Sequence, residues 1–273
     1  MMLLSSSTTR WGFKLLTAFA ILALSVALVF VAIYGQRIYT IVNPPLTHTL
    51  FWVGDRQSEL RNRLNNQADV NAKNGSGATP LHLAAQFGKP TSVNMLIDAG
   101  ANVLARDNRG QGVLHYAVNG GSADSIRTLL KHGAELNLQD RFSISPLHRA
   151  VSLGASGPTN GANVTLLLNA GADIDATTNE GDTPLHWAVT SYYVNQTLIP
   201  LLRAGSDLER TNNKGETPLH IAARTASEEA ALLLMSHGAN SLIRDHSGST
   251  PFELTQKYNS RFSQTTMAAL RGK

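Results

Sequence analysis

The feature that most constrains this chain is that it repeats itself about every 33 residues. Successive copies open with TPLHLAAQFG from Thr79, GVLHYAVNGG from Gly112, SPLHRAVSLG from Ser145, TPLHWAVTSY from Thr183 and TPLHIAARTA from Thr217, and a divergent TPFELTQKYN opens at Thr250. The starts are spaced by 33, 33, 38, 34 and 33 residues. A second block follows each of the first five openings: LIDAGAN from Leu96, LLKHGAE from Leu129, LLNAGAD from Leu167, LLRAGSD from Leu201 and LLMSHGAN from Leu233. A period of this length means a solenoid, because one such unit cannot bury its apolar face alone and stacked units share a continuous core.

Each copy reads as two helices and a turn. Pro80, Pro146, Pro184 and Pro218 sit where a first helical turn needs no backbone donor. Thr79, Ser145, Thr183 and Thr217 precede them as good N-caps. Leu81, Ala84 and Ala85 recur as Leu147, Ala150 and Val151 and as Leu219, Ala222 and Ala223, one apolar face at helical spacing with alanines small enough for close packing. The Gly of each second block ends the second helix, where a positive φ is cheap. Segments such as ARDNRGQG and RTNNKGET are rich in Asn, Asp and Gly and predict tight turns.

The period and the T-P-L-H-x-A opening resemble the ankyrin-repeat family. The resemblance implies an all-α solenoid with two antiparallel helices and a β-hairpin finger per repeat. It covers residues 45–273, with repeats at about 45–78, 79–111, 112–144, 145–182, 183–216, 217–249 and 250–273. The first copy is atypical, with His48 and Gly54 in register and Gln67 to Asn71 matching the second block one residue late. The polar copy from Thr250 reads as the capping repeat a solenoid needs.

Ahead of the repeats, Leu15 to Tyr34 is twenty residues without a charge, the length a helix needs to cross a hydrocarbon core. Trp11, Tyr34 and Tyr39 flank it as interfacial aromatics do. A cleaved signal peptide, the competing reading, has an apolar core of about 7–15 residues and a small-x-small site. This core is longer and Val29 to Tyr34 offers no such site. The expected order is therefore a tail (1–14), a transmembrane helix (15–35), a linker (36–44) containing Asn43-Pro44, and the repeats. Arg10 and Lys14 precede the span and only Arg37 follows it closely, which favours a cytoplasmic N-terminus and repeats outside.

Composition excludes several functions. With no cysteine there is no disulfide or thiolate metal site. The net charge of +4 is spread along the chain without basic runs or a nucleic-acid-binding motif, so nucleic acid is not an expected partner. Of nine histidines, His48, His82, His115, His148, His186 and His220 hold the fourth place of the openings, where the resemblance implies a buried hydrogen-bonding role. His132 and His237 precede the second-block glycines and His246 lies in a finger. No histidine is left over for a metal, and no nucleophile or phosphate-binding motif is present, so no catalytic residue, cofactor or metal is expected.

The expected function is a non-catalytic, monomeric protein-binding module held at a membrane. An inhibitor or immunity-type protein acting on an enzyme outside the membrane, and an accessory factor for an envelope enzyme, are the alternatives on the same scaffold. The resemblance places partners on the fingertips and the exposed first-helix positions of the concave face. The candidates are Phe87, Asn108, Arg109, Gln111, Asn119, Arg141, Phe142, Ile144 and Leu153, where aromatic, aliphatic and arginine side chains stand at positions a solvated surface would fill with small polar ones. The finger at Arg141 has Ser143 where the others have Gly, and the repeat at 145–182 carries five extra residues around 154–161.

Overall fold

The computed structural model describes residues 46–47, 56–152 and 160–272. The expected membrane span, the linker, His48 and Leu153 lie outside them. Among the described residues no helix is long and apolar enough to cross a membrane.

Thirteen helices follow one another among those residues: α1 (Gln57–Asn65), α2 (Pro80–Gln86), α3 (Pro90–Asp98), α4 (Val113–Asn119), α5 (Ala123–Lys131), α6 (Pro146–Val151), α7 (Asn160–Asn169), α8 (Pro184–Ala188), α9 (Val194–Arg203), α10 (Pro218–Arg224), α11 (Glu228–Ser236), α12 (Pro251–Lys257) and α13 (Gln264–Leu270). Even-numbered helices are the first of each repeat. Each packs on its own second helix and on the first helix of the next repeat, and the second helices pack on one another. The capping repeat is more complete than its polar sequence suggests, for α13 packs on both α11 and α12.

The core is the repeat pattern made solid. Leu81, Leu114, Leu147, Leu185 and Leu219 of the first helices are buried, as are Leu96, Leu129, Leu167, Leu201 and Leu234 of the second. Each buried leucine contributes about 2 kcal/mol of hydrophobic stabilisation, and each repeats the contact of the one before. The small pairs Ala84-Ala85, Ala117-Val118 and Ala222-Ala223 are fully buried and let the helices approach. Closeness reaches its limit at Gly120, where a Cβ would stand 2.2 Å from the Gln86 carbonyl oxygen.

Second helices end as the sequence predicts. Gly100, Gly133, Gly171, Gly205 and Gly238 have φ of 89°, 85°, 89°, 84° and 97°. The following residue turns its N–H back to the helix, as in Ala101 N to Leu96 O at 2.9 Å and Ala134 N to Leu129 O at 3.0 Å, which satisfies carbonyls the helix leaves free.

The fingers differ from expectation. The resemblance implies β-hairpins, yet among the described residues no strand forms and the regular pairing is one isolated antiparallel bridge, Arg106 with Gly112. The reason is bond count. Across a fingertip the two limbs are closed by Asp107 N to Gln111 O at 3.0 Å and Gly110 N to Asp107 O at 3.0 Å, a turn with too little limb beyond it for a ladder.

One buried group breaks the pattern. Ser206 takes the place that Ala101 and Ala134 hold, is 6% exposed, and its hydroxyl has no partner among the described residues. An unpaired buried hydroxyl costs of the order of 1 kcal/mol. Ser206→Ala is therefore expected to raise unfolding stability by about that amount; a lower denaturation midpoint for the variant would contradict this.

Candidate partner-binding surface

The finger surface is built from the chain's own hydrogen bonds. In each finger one side chain closes the turn. Asp107 Oδ1 accepts from the N–H of Arg109 and of Gln111 at 2.8 Å each. Asp140 Oδ1 accepts from Phe142 at 2.9 Å and Ile144 at 3.0 Å. Asn212 and Asp245 do the same in later fingers. The fingertips then join in a row: Asn108 N to Ser76 O at 2.9 Å, Arg141 N to Arg109 O at 2.9 Å, Asn179 N to Phe142 O at 3.1 Å, Asn213 N to Glu180 O at 2.9 Å and His246 N to Lys214 O at 3.0 Å. One backbone bond per junction, joined by side-chain amide bonds from Asn108, Asn179 and Asn213, fixes the register of neighbouring fingertips.

The finger at 140–144 has the geometry of the others despite lacking glycine. Ser143 adopts φ 57°, Asp140 N reaches Ile144 O at 3.0 Å, and the Ser143 hydroxyl donates to Asn179 Oδ1 at 2.6 Å. That bond offsets part of the steric cost of left-handed backbone at a residue with a Cβ.

Histidines tie this row to the helices. In α2, His82 Nδ1 accepts the Thr79 N–H at 3.2 Å, which leaves the ring proton on Nε2, 3.3 Å from the carbonyl of Gln111 in the next finger. The same bridge runs from His115 to Ile144 O at 2.9 Å, His148 to Asp182 O at 3.1 Å, His186 to Glu216 O at 3.0 Å and His220 to Ser249 O at 3.1 Å. The N-cap hydroxyls of Thr79, Ser145, Thr183 and Thr217 lie 2.8–2.9 Å from the same Nδ1 atoms. Thus the opening is a capping box with histidine in the place usually held by Glu. In α12 that place returns to Glu253, which accepts the Thr250 N–H at 2.7 Å.

Burial lowers the pKa of all five bridging histidines, against the raising effect of the carbonyls they bond. For His82 and His148 the value falls to about 4. Among the described residues no group of His, Asp and Glu is placed to hold a metal.

The expected contact residues among those described separate into three kinds. Asn108, Arg109, Arg141 and Phe142 are exposed on adjoining fingertips, with Phe142 at 58%. Phe87, Asn119 and Ile144 are half-buried, and Phe87 packs against the core. Gln111 is buried and its amide donates to Asp140 Oδ2 at 3.2 Å, so it braces two fingers against each other.

The structure adds the fifth place of the openings: Tyr116, Arg149 and Trp187, all half-buried between the first helices and the fingers. The Tyr116 hydroxyl donates to Asp107 Oδ2 at 2.9 Å, and burial together with that bond raises its pKa. Arg149 reaches Asp140 at 3.4 Å and, from the eighth place of its opening, Arg224 reaches Glu216 at 2.9 Å. Burial pushes the Asp140 pKa up, but hydrogen bonds from Gln111, Phe142 and Ile144 leave it below the usual carboxylate value. A signal for the fifth place exists in the sequence. Leu83, Tyr116, Arg149, Trp187 and Ile221 differ there while the flanking histidine never does; Leu83 and Ile221 are buried in the core, and Tyr116, Arg149 and Trp187 are the half-buried ones that face the fingers.

Between α6, α8 and α10 a cleft of about 480 Å³ opens, lined by Arg149, Asp182, Trp187, Thr190, Ile221 and Arg224 among others. A cavity of about 740 Å³ lies elsewhere, between α7 and α9, with Arg203 on its wall.

Short helix pairs, a bonded row of fingertips and a cleft along the first helices define a helical-repeat recognition scaffold. The family model described as "Ankyrin repeats (3 copies)" matches residues 53–140, and that described as "Ankyrin repeat" matches residues 214–246. The chain is 28% identical to the ankyrin repeat domain of Bcl-3, described as a unique member of the IkappaB protein family, with a TM-score of 0.67 over 84% of this chain and 99% of that one. It is 27% identical to the human ASB11 ankyrin repeat domain, with a TM-score of 0.69 over 84% of this chain and 97% of that one. A comparison with curated proteins gave no match. The described solenoid is an ankyrin-repeat solenoid, and ankyrin repeats indicate a protein–protein interaction module.

The bridging histidines set a pH dependence. Their folded pKa values lie below the unfolded value of 6.5, so the stability they contribute is present above about pH 6.5 and is lost as pH falls toward 4. The His82 shift alone corresponds to roughly 3 kcal/mol at full protonation. Urea unfolding of the full chain is expected to show a midpoint that falls steadily from pH 7 to pH 4; a constant midpoint over that range would exclude neutral bridging imidazoles.

Proposed function

We propose that this chain is a non-catalytic protein-binding module, held at a membrane through residues 15–35 and engaging a partner protein with its finger-side face as a monomer. The observation that carries the reading is the row of fingertips. The Arg141 N–H bonds the Arg109 carbonyl at 2.9 Å, so Arg109, Arg141 and Phe142 stand on adjoining, mutually fixed fingers with their side chains exposed. An exposed phenylalanine beside two arginines has the composition of an interface anchor. Asn108, Asn119, Phe87 and Ile144 extend the surface, Gln111 braces it, and Leu153 joins it by its place in the repeat. Because the fingers are already bonded together, binding orders little of the scaffold and less free energy is lost to conformational entropy.

The proposed placement rests on the charge-free stretch Leu15 to Tyr34 and on Arg10 and Lys14 ahead of it, which favour repeats outside the cytoplasm. External protease on intact cells is expected to digest the repeats; digestion only after the cytoplasmic side is opened would reverse this orientation. For binding, crosslinking and affinity capture from membranes should compare wild type with the Arg141→Ala/Phe142→Ala double variant. Both side chains are exposed, so the fold should be kept while the recovered partner drops by roughly tenfold or more. Equal recovery of the same partner would move the interface off the fingertips.

A further inference from the structure

The cleft at Trp187 differs from the rest of the surface in how its charges are turned. Arg149 is 26% exposed in its side chain, whereas the Asp140 carboxylate it touches is 0% exposed. Arg224 is 32% exposed and its partner Glu216 is 8% exposed. Each pair is nearly neutral in sum, but each is a dipole with its positive end toward the cleft and its negative end in the protein. The buried carboxylates are also occupied. Asp140 holds two backbone N–H groups and the Gln111 amide as well as Arg149, and Glu216 accepts both Nε and Nη2 of Arg224.

What remains on the cleft wall is mostly donor. A guanidinium has five N–H groups, and neither arginine uses more than two of them in these pairs. The carboxylate among the described lining residues, Asp182, already accepts from Asn212 Nδ2 at 2.9 Å. Between the arginines lies the indole of Trp187, held by an edge contact to His148 with ring centroids 5.3 Å apart at 74°, and beside it Ile221. Two outward guanidiniums flanking an apolar floor match a segment that alternates carboxylate and apolar side chains.

We infer that this cleft seats an acidic segment of the partner protein, with a carboxylate from the segment against Arg149 and another against Arg224 and an apolar side chain between them over Trp187. This rests on the reading of the finger-side face as a binding surface and specifies its chemistry. The segment takes up donors that the exposed parts of both guanidiniums leave unused, without displacing Asp140 or Glu216, so it adds to the existing ion pairs. Removal of either arginine also leaves a buried carboxylate unpaired and weakens the fold. The decisive variant is therefore Thr190→Glu. Thr190 is an exposed member of the cleft wall that takes part in neither ion pair, and a glutamate there repels an acidic ligand.

The test is fluorescence anisotropy on the full chain in detergent micelles. The probe is a fluorescein-labelled peptide Gly-Gly-Glu-Phe-Glu-Gly-Gly, compared with counterparts carrying Lys or Gln for both Glu. The Glu peptide is expected to bind at least roughly tenfold more tightly than either counterpart, and less tightly as salt rises. Thr190→Glu should abolish that preference with an unchanged thermal melt, and Arg149→Gln/Arg224→Gln should abolish it with a lowered one. Arg203→Gln, on the separate cavity between α7 and α9, should leave it intact. No preference for the Glu peptide, or a preference that survives Thr190→Glu, overturns the inference. That failure is separable from failure of the binding-module reading. Partner capture by wild type with no acidic preference in the peptide assay keeps the module and removes the acidic segment.

Discussion

The bond on which the rest of this solenoid depends is the one from a histidine Nε2–H to a carbonyl in the next finger. Hydrophobic burial stacks the helices, but it is non-directional and leaves the orientation of a protruding turn open. A neutral imidazole removes that freedom because it has one acceptor and one donor on opposite sides of a rigid ring. The acceptor takes the N-cap N–H of its own opening and the donor takes a carbonyl of the finger that follows its helix pair. Each such bond adds only about 1 kcal/mol net. Deep inside the stack the alternative is an unpaired imidazole and an unpaired carbonyl, which costs more than the bond gains. The five bridges therefore act mainly against misplacement, and burial keeps their imidazoles in the neutral form that the bonding pattern requires.

From those bridges the recognition surface follows. A finger fixed at its base by a histidine and closed at its tip by an Asp or Asn side chain has little left to vary. One further backbone bond to each neighbour, helped by side-chain amides, is enough to set the row, so no strand ladder is needed. The first helices are held in the same frame, and the half-buried fifth and eighth places of their openings face the fingers. Ion pairs such as Arg149 with Asp140 and Arg224 with Glu216 join the finger that ends one repeat to the first helix of the next. They set which end of each charge pair is presented, a property that net charge does not contain.

The repeat scaffold was legible in the sequence because a solenoid writes its constraints once per copy. The Leu-His of the opening and the Gly that ends each second helix state the packing, the bridge and the cap, and the structure keeps them in every described copy from Thr79 to Gly238. The finger was legible only as a turn. Whether its limbs pair as a hairpin depends on how many bonds are left after Asp107 or Asp140 has claimed two N–H groups, and that is a matter of three-dimensional competition. Ser143 shows the same limit. Its glycine-like backbone is enforced by the fingers on either side, whose bonds outweigh its own preference. Gln111 was read as a surface residue because it flanks the fingertip, yet its amide turns inward to a carboxylate 29 residues away. The fifth place is hidden for the opposite reason: a repeat displays what its copies share, and this is the place where they differ.

The repeat at 145–182 shows how far the surface is insulated from length changes. Its extra residues widen the separation bridged by His148 to 34 positions, against 29 for His115. The bridge itself is unchanged, at 3.1 Å, and the next fingertip junction, Asn179 N to Phe142 O, also measures 3.1 Å. Lengthening a connection adds only slowly growing loop entropy. It leaves the face untouched provided that the added residues fall between the helices and not within the finger. That is where they fall here, so a repeat that departs from the period still delivers Arg149 and Asp182 to the same cleft as the regular Trp187 and Arg224. The finger-side face is set by the bonded fingers and first helices, and the 33-residue period is a consequence of that frame more than its cause.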